Sequence, residues 1–158
     1  MSEKDIKILV AYDGSSYSVK ALDVAANLAS KLNASITLFY VEPQTGRGSQ
    51  PVPTIGTASP SSLEQAYSAV EGTGIGDRPA IYKLSDAESK LKKMSVNYDM
   101  ETRRGSDPAS EILKMAKEGK YDFIALGSRG FGEVRALVLG SVSHRVASEA
   151  EATVLIAK

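Results

Sequence analysis

The apolar residues of this chain keep two rhythms, and the points where one gives way to the other mark out its elements. Ile6 to Tyr12 is rich in β-formers and almost continuously apolar from Ile8 to Ala11, which predicts a central strand buried on both faces of a parallel sheet. Asp13 ends that run. Val19, Ala21, Leu22, Ala25, Ala26, Leu28, Ala29 and Leu32 then recur three and four apart, predicting a helix capped by Ser15 or Ser16 with one wide face on the sheet. Asn33-Ala34 turns the chain into a second buried strand, Ser35 to Val41, which completes a right-handed βαβ unit.

The rhythm breaks between Pro43 and Pro79. Five of the six prolines and six of the thirteen glycines fall there, so the segment reads as an insertion, with one short helix at Ser62 to Val70. It is either a lid or partner surface or a solvated loop. Helical spacing returns at Ile81, Leu84, Ala87, Leu91 and Met94, predicting a helix from Ala80 to Met94 with Lys83, Lys90, Lys92 and Lys93 toward water. Val96 to Thr102 alternates apolar and polar, as a strand nearer the sheet edge does. Asp107 as N-cap and Pro108 at the first helical position open a helix that runs to about Glu118, before Gly119. A fourth strand spans Tyr121 to Gly127, a last helix Gly140 to about Ala150, and a last strand Thr153 to Ala157. No internal repeat is evident. Five strands alternating with four helices predict an α/β fold, a doubly wound parallel sheet with helices on both faces. Such sheets bind ligands at the carboxyl ends of their strands, where the winding reverses.

Composition narrows the partners. The chain has 158 residues, 42% of them hydrophobic, enough for one domain (1–158) with a continuous core. Nineteen basic residues balance nineteen acidic ones, so no overall field draws in nucleic acid or an anionic membrane, and anion binding must be local. No cysteine and a single histidine exclude a disulfide framework and structural zinc, which suits the cytoplasm. No apolar run approaches the ~20 residues of a membrane helix. Met1 to Asp5 is charged rather than signal-like, so the mature chain is expected to start there.

The chemistry concentrates between Gly127 and Ser143. Gly127, Gly130 and Gly140 lie between a strand end and a helix start, where backbone amides can approach an anion and the positive end of the helix dipole favours it. Ser141 and Ser143 offer hydroxyl donors, and Arg129 offers a guanidinium fork for phosphate oxygens. Taken singly, Gly127 and Gly130 could merely turn the chain, and Ser141 or Asp13 could merely cap a helix. This is not a P-loop, because Glu133 stands where that motif has lysine. Asp13-Gly14-Ser15-Ser16 lacks the glycines of the dinucleotide fingerprint, which disfavours a nicotinamide cofactor. His144 reads as a half-buried helix residue rather than a catalyst.

The spacing Gly127, two residues, Gly130, nine residues, Gly140-Ser141 resembles the nucleotide-binding signature of the universal stress protein family, in its ATP-binding branch. The opening Ile8 to Ser15, the middle Arg104 to Ala109 with Ile112, and the closing Ala152 to Ile156 carry the same resemblance, which covers the chain outside 43–79. It implies a Rossmann-like sheet of order 3-2-1-4-5, of the adenine nucleotide alpha hydrolase type, with ATP across the ends of strands one and four. By the same resemblance, Asp13 would hold the ribose hydroxyls or a phosphate-bound Mg²⁺ or Mn²⁺, and Ala11 and Tyr12 would line the base. Val41 would meet the adenine edge through its backbone and Gly127 the ribose, while Arg129, Gly130, Gly140, Ser141, Val142 and Ser143 would surround the phosphates.

The family likeness also implies a homodimer. In that strand order the apolar Thr153 to Ala157 lies at an edge, where pairing with a second copy would cover it. Three readings of function stay open: a stress-response regulator that binds ATP with little or no hydrolysis and controls an unknown protein partner, a slow ATPase or adenylating enzyme, and an interaction module with an empty nucleotide site. No glutamate or histidine is obviously placed to orient water, which favours the first.

Overall fold

The computed structural model describes residues 5–44, 80–130 and 139–158. The expected helix at Ser62 to Val70, the bulk of the insertion, and residues 131–138 of the glycine stretch lie outside them. In order come β1 (Lys7–Ala11), α1 (Ser16–Leu32), β2 (Ser35–Pro43), α2 (Ala80–Lys93), β3 (Tyr98–Gly105), α3 (Pro108–Glu118), β4 (Phe123–Gly127), α4 (Ser141–Glu149) and β5 (Thr153–Ala157). All pairings are parallel and the sheet order is β3-β2-β1-β4-β5. The doubly wound five-stranded sheet expected from the pattern is therefore the observed architecture. Among the described residues no helix is long and apolar enough to cross a membrane.

Strand alternation sorts the core into two layers. Ile8, Val10, Ile36 and Leu38 point to one face and pack with Leu22, Ala25 and Ala26 of α1 and Leu84, Ala87 and Leu91 of α2. Leu9, Phe39, Ile124 and Leu126 point to the other and pack with Ala109, Ile112 and Met115 of α3 and Val146 of α4. Ile8, Leu9 and Val10 are fully buried, as a central strand requires, and each such side chain contributes about 1.5–3 kcal/mol.

The structure departs from the pattern at four places. Leu32, expected on the buried face, is 41% exposed at the last position of α1, where Asn33 ends the helix in the left-handed region. The third strand begins at Tyr98 rather than Val96: Ser95 turns at φ 53 and drops Val96 into the core below the strand. That strand then continues to Gly105, because β2 pairs with it as far as Pro43, and Arg103 and Arg104 find Glu118 (2.8 Å) and Glu42 (2.7 Å) beside it. Lys120, at φ 51, likewise delays β4 to Phe123 and leaves Tyr121 to donate its hydroxyl to Thr37 Oγ1 at 2.8 Å.

The winding reverses at β1. One crossover leads left to β2 and β3, the other right to β4 and β5, so a crevice opens above the carboxyl ends of β1 and β4.

Candidate functional site

The first wall of the crevice is the turn from β1 into α1. Gly14 sits at φ 84, a backbone state that glycine adopts without strain, and donates its N–H to Ser18 Oγ at 3.1 Å. Ser15, not Ser16, is the cap: its Oγ accepts from Ser18 N–H at 3.2 Å. Asp13 caps nothing directly. Its Oδ1 accepts the Ser15 N–H at 2.8 Å, and its Oδ2 faces β4, only 2.9 Å from where a Cβ on Gly130 would lie. A side chain at position 130 would therefore push into the Asp13 carboxylate.

The second wall is the exit from β4. A Cβ on Gly127 would come within 2.6 Å of Tyr17 Cβ and 2.9 Å of the Ser18 nitrogen, so glycine lets the first turn of α1 close on β4. Arg129 borders the crevice with its guanidinium 5.9 Å from the Tyr17 ring centroid, at the edge of cation–π range. Ser128 N–H donates to Ala157 O (2.7 Å), and Ser128 O accepts from Gly140 N–H (2.7 Å). That bond brings position 140 back beside β4.

The third wall is the start of α4. Gly140 is its N-cap and, among the described residues, no side chain caps the helix; the first helical bond is His144 N–H to Gly140 O at 2.9 Å. The N–H groups of Ser141, Val142 and Ser143 thus belong to the first turn, which has no acceptor within its own helix. The Ser143 side chain departs from its expected role. Its hydroxyl, buried, lies 2.8 Å from Ser128 O and 3.0 Å from Gly140 O. A hydroxyl has a single proton to give, and these carbonyls take it, so Ser143 clasps the loop and only its backbone N–H is left as a donor toward the cleft.

Together these walls bound a cleft of about 380 Å³. Ala11, Tyr12, Asp13, Val41, Gly127, Arg129, Gly130, Gly140, Val142 and Ser143 all line it; Ser141 does not, being exposed at the first position of α4. Tyr12 borders the cleft, yet it packs in the opposite core layer with Leu22 and Ala25. Burial, then the Asp86, Asp13 and Asp23 carboxylates, push its hydroxyl above the usual phenol range. Tyr12 was expected, with Ala11, to line the base, and it stands at the border of the cleft. His144 is exposed rather than half-buried and lies outside the cleft.

Sequence reasoning missed Ser18, Phe39, Tyr40, Pro108 and Leu126, and named Ile112 without a role, though all line the cleft. Register was the available signal for two of them, since Phe39 and Leu126 flank Ala11 on either side. Ala11, Phe39, Val41, Ile112, Leu126 and Val142 form one end of the α3–α4 core layer, so the cleft is that core opened to water. Part of its lining is apolar, and Asp13 and the first turn of α4 also border it.

The profile of the Universal stress protein family matches residues 6–158. The universal stress protein YxiE of Bacillus subtilis is 32% identical over 152 residues, covering 96% of this chain and 98% of the relative. Among solved structures, universal stress protein UspA from Lactobacillus plantarum superposes with TM-score 0.73 at 22% identity, covering 99% of this chain and 100% of that one. A universal stress protein in complex with cAMP gives 0.68 at 21% identity, with 99% of both chains covered. A family member from Arabidopsis thaliana with AMP bound gives 0.63 at 21% identity, covering 97% and 90%. A profile matched from the first strand to the last residue, on this sheet order, leaves one conclusion: the chain belongs to the universal stress protein family.

Proposed function

We propose that this protein is a cytoplasmic ATP-binding regulator that holds its nucleotide with little or no hydrolysis and changes its contact with a protein partner on binding. The observation that carries this reading is the uncapped first turn of α4, facing Asp13 across the cleft at the sheet's switch point. Phosphate oxygens would replace the missing cap, accepting from the Val142 and Ser143 N–H groups and from Arg129. The base would enter the apolar part of the lining between Ala11, Val41 and Ile112, where burial supplies affinity and backbone groups supply direction. A cleft of about 380 Å³ falls within the ~300–1,000 Å³ range of small-molecule sites. The neighbours bound to cAMP and AMP support an adenine nucleotide.

The residues fit a phosphate-bound Mg²⁺ or Mn²⁺ through Asp13 alone, whose Oδ2 points into the cleft side of Gly130. Among the described residues no three His, Cys, Asp or Glu side chains converge, so the phosphates themselves would supply most ligands to such an ion. When bound, it would neutralise charge on the phosphate tail.

Calorimetry tests the reading: ATP with magnesium should bind at micromolar concentrations and be recovered intact after hours. Absence of heat with ATP or AMP up to millimolar concentrations would end it, and release of ADP with phosphate, or of AMP with pyrophosphate, would replace it with an enzyme. We further propose that β5 pairs with its copy in a homodimer. It is an edge strand without a charged residue, and its Val154, Leu155 and Ile156 are only partly buried. Light scattering at micromolar concentration should give twice the chain mass; a monomer there would refute the pairing.

A further inference from the structure

The two helices that flank the cleft are tied together just outside it, by a cluster the nucleotide reading does not use. Arg145, on α4, reaches α3 with both terminal nitrogens. Nη1 donates to Asp107 Oδ2 in a charged hydrogen bond, and Nη2 lies 3.0 Å from Ser110 Oγ. Ser110 in turn donates its hydroxyl to Asp107 Oδ2 at 2.5 Å, while the remaining Asp107 oxygen accepts the Ser110 N–H as the cap of α3. Glu149, one turn along α4, takes Arg145 Nε at 3.0 Å and so fixes the guanidinium plane. Each hydrogen-bonding edge of that guanidinium therefore has an assigned partner, from two helices.

The cluster's position gives it a consequence. Arg145 lies three residues after Val142, hence on the same side of α4, and Asp107 immediately precedes Pro108. Val142 and Pro108 both line the cleft. The two helices also start at the same rim of the sheet with their positive dipole ends side by side, an arrangement that repels unless a negative charge lies between them. The Asp107 carboxylate, as the cap of α3, lies at one of these two ends. The pair is half-exposed, the Arg145 and Asp107 side chains being 40% and 48% accessible, and exposed ion pairs add little to global stability. What a planar fork held on both edges does supply is geometry.

We infer that Arg145 is a positioning residue for the nucleotide cleft: through Asp107 and Ser110 it fixes the first turn of α4 relative to α3, and with it the spacing between the phosphate-facing amides and the apolar wall. The inference rests on the nucleotide reading above. Arg145→Gln removes the charge and the fork; Arg145→Lys keeps the charge and can meet only one partner. With ATP and magnesium as the probe, the Kd should rise about tenfold in R145Q and about threefold in R145K, chiefly through faster dissociation. Lys117→Gln breaks the exposed Lys117–Glu151 pair (3.4 Å) at the far end of the same helices and should leave the Kd unchanged. A merely structural Arg145 would lower the melting temperature and leave the Kd of the folded protein within twofold, and that result overturns the inference. Amide exchange on the nucleotide-free protein separates this failure from that of the nucleotide reading. R145Q should speed exchange in the first turns of both α3 and α4, and unchanged exchange there overturns the clasp. If wild type binds no adenine nucleotide, faster exchange in both turns still upholds Arg145 as the tie between the helices while the nucleotide reading falls.

Discussion

Helices α3 and α4 lie on the same face of the sheet, start at the same rim and follow neighbouring parts of the cleft, yet their first turns are finished differently. α3 opens with Asp107, whose carboxylate accepts from Ser110 N–H, then Pro108, with Glu111 in the first turn. α4 opens with Gly140, carries no acidic residue in its first turn and, among the described residues, has no capping side chain. Capping typically contributes about 1 kcal/mol, so a nine-residue helix that forgoes it gives up stability that a bound anion can return. The contrast separates a helix end whose charge is satisfied by its own cap from one whose first-turn N–H groups have no capping side chain among the described residues. Asp107 serves the first and, through Arg145, steadies the second.

The sharpest way to break the contrast is to give α4 the cap that α3 has. Gly140 sits at φ −73 and ψ 165, an extended conformation open to any residue, so Gly140→Asp can place a carboxylate over the first turn. The melting temperature should hold or rise. ATP affinity should fall about a hundredfold, roughly 2.7 kcal/mol, because the new carboxylate takes the N–H groups and repels the phosphates. Gly140→Ser supplies a neutral cap and should fall about tenfold, which separates competition for donors from charge repulsion. Calorimetry beside thermal unfolding reads both quantities. Undiminished affinity in a stably folded G140D would show that this helix end is not where the phosphates bind.

The same contrast shows what could be read from residues alone. The α3 cap was legible because Asp107-Pro108 is a local signal, complete within a single turn. The bare end of α4 was legible as glycine followed by helical spacing, but the Ser143 hydroxyl was not: its acceptor Ser128 O is fifteen residues away and becomes a neighbour only when the loop closes. That Tyr12 borders the cleft while packing in the other core layer was not legible for a related reason. β1 is buried on both faces, so no polar position along it sets the phase, and nothing before the structure says which layer each side chain enters. Leu32 shows the limit of helical periodicity, which gives an angle around the axis and not how far along it the buried face runs. Pro108 and Ile112 reach the cleft because α3 packs over β2 and β3, a tertiary fact with no local trace.

The smallest expected effect is a titration present at the capped end and absent from the bare one. The Ser110 hydroxyl first, then the Arg145 guanidinium, hold the Asp107 carboxyl at about 2, below its ordinary value of 3.8. A carboxyl whose value is lowered by folding releases its proton more readily in the native state, so the unfolded chain binds more protons in acid. Its contribution to stability is therefore complete above about pH 4 and is lost as the pH falls toward about 2. Asp107→Asn keeps a capping oxygen while removing the charge, so it should fold. Urea unfolding of both proteins, without nucleotide, isolates this group from the other carboxylates. The stability advantage of wild type over D107N should be constant near neutrality and shrink steadily between about pH 4 and about pH 2. A difference that stays flat across that range would mean that Asp107 carries no special partner in solution, and the clasp between the two helix ends would lose its anion.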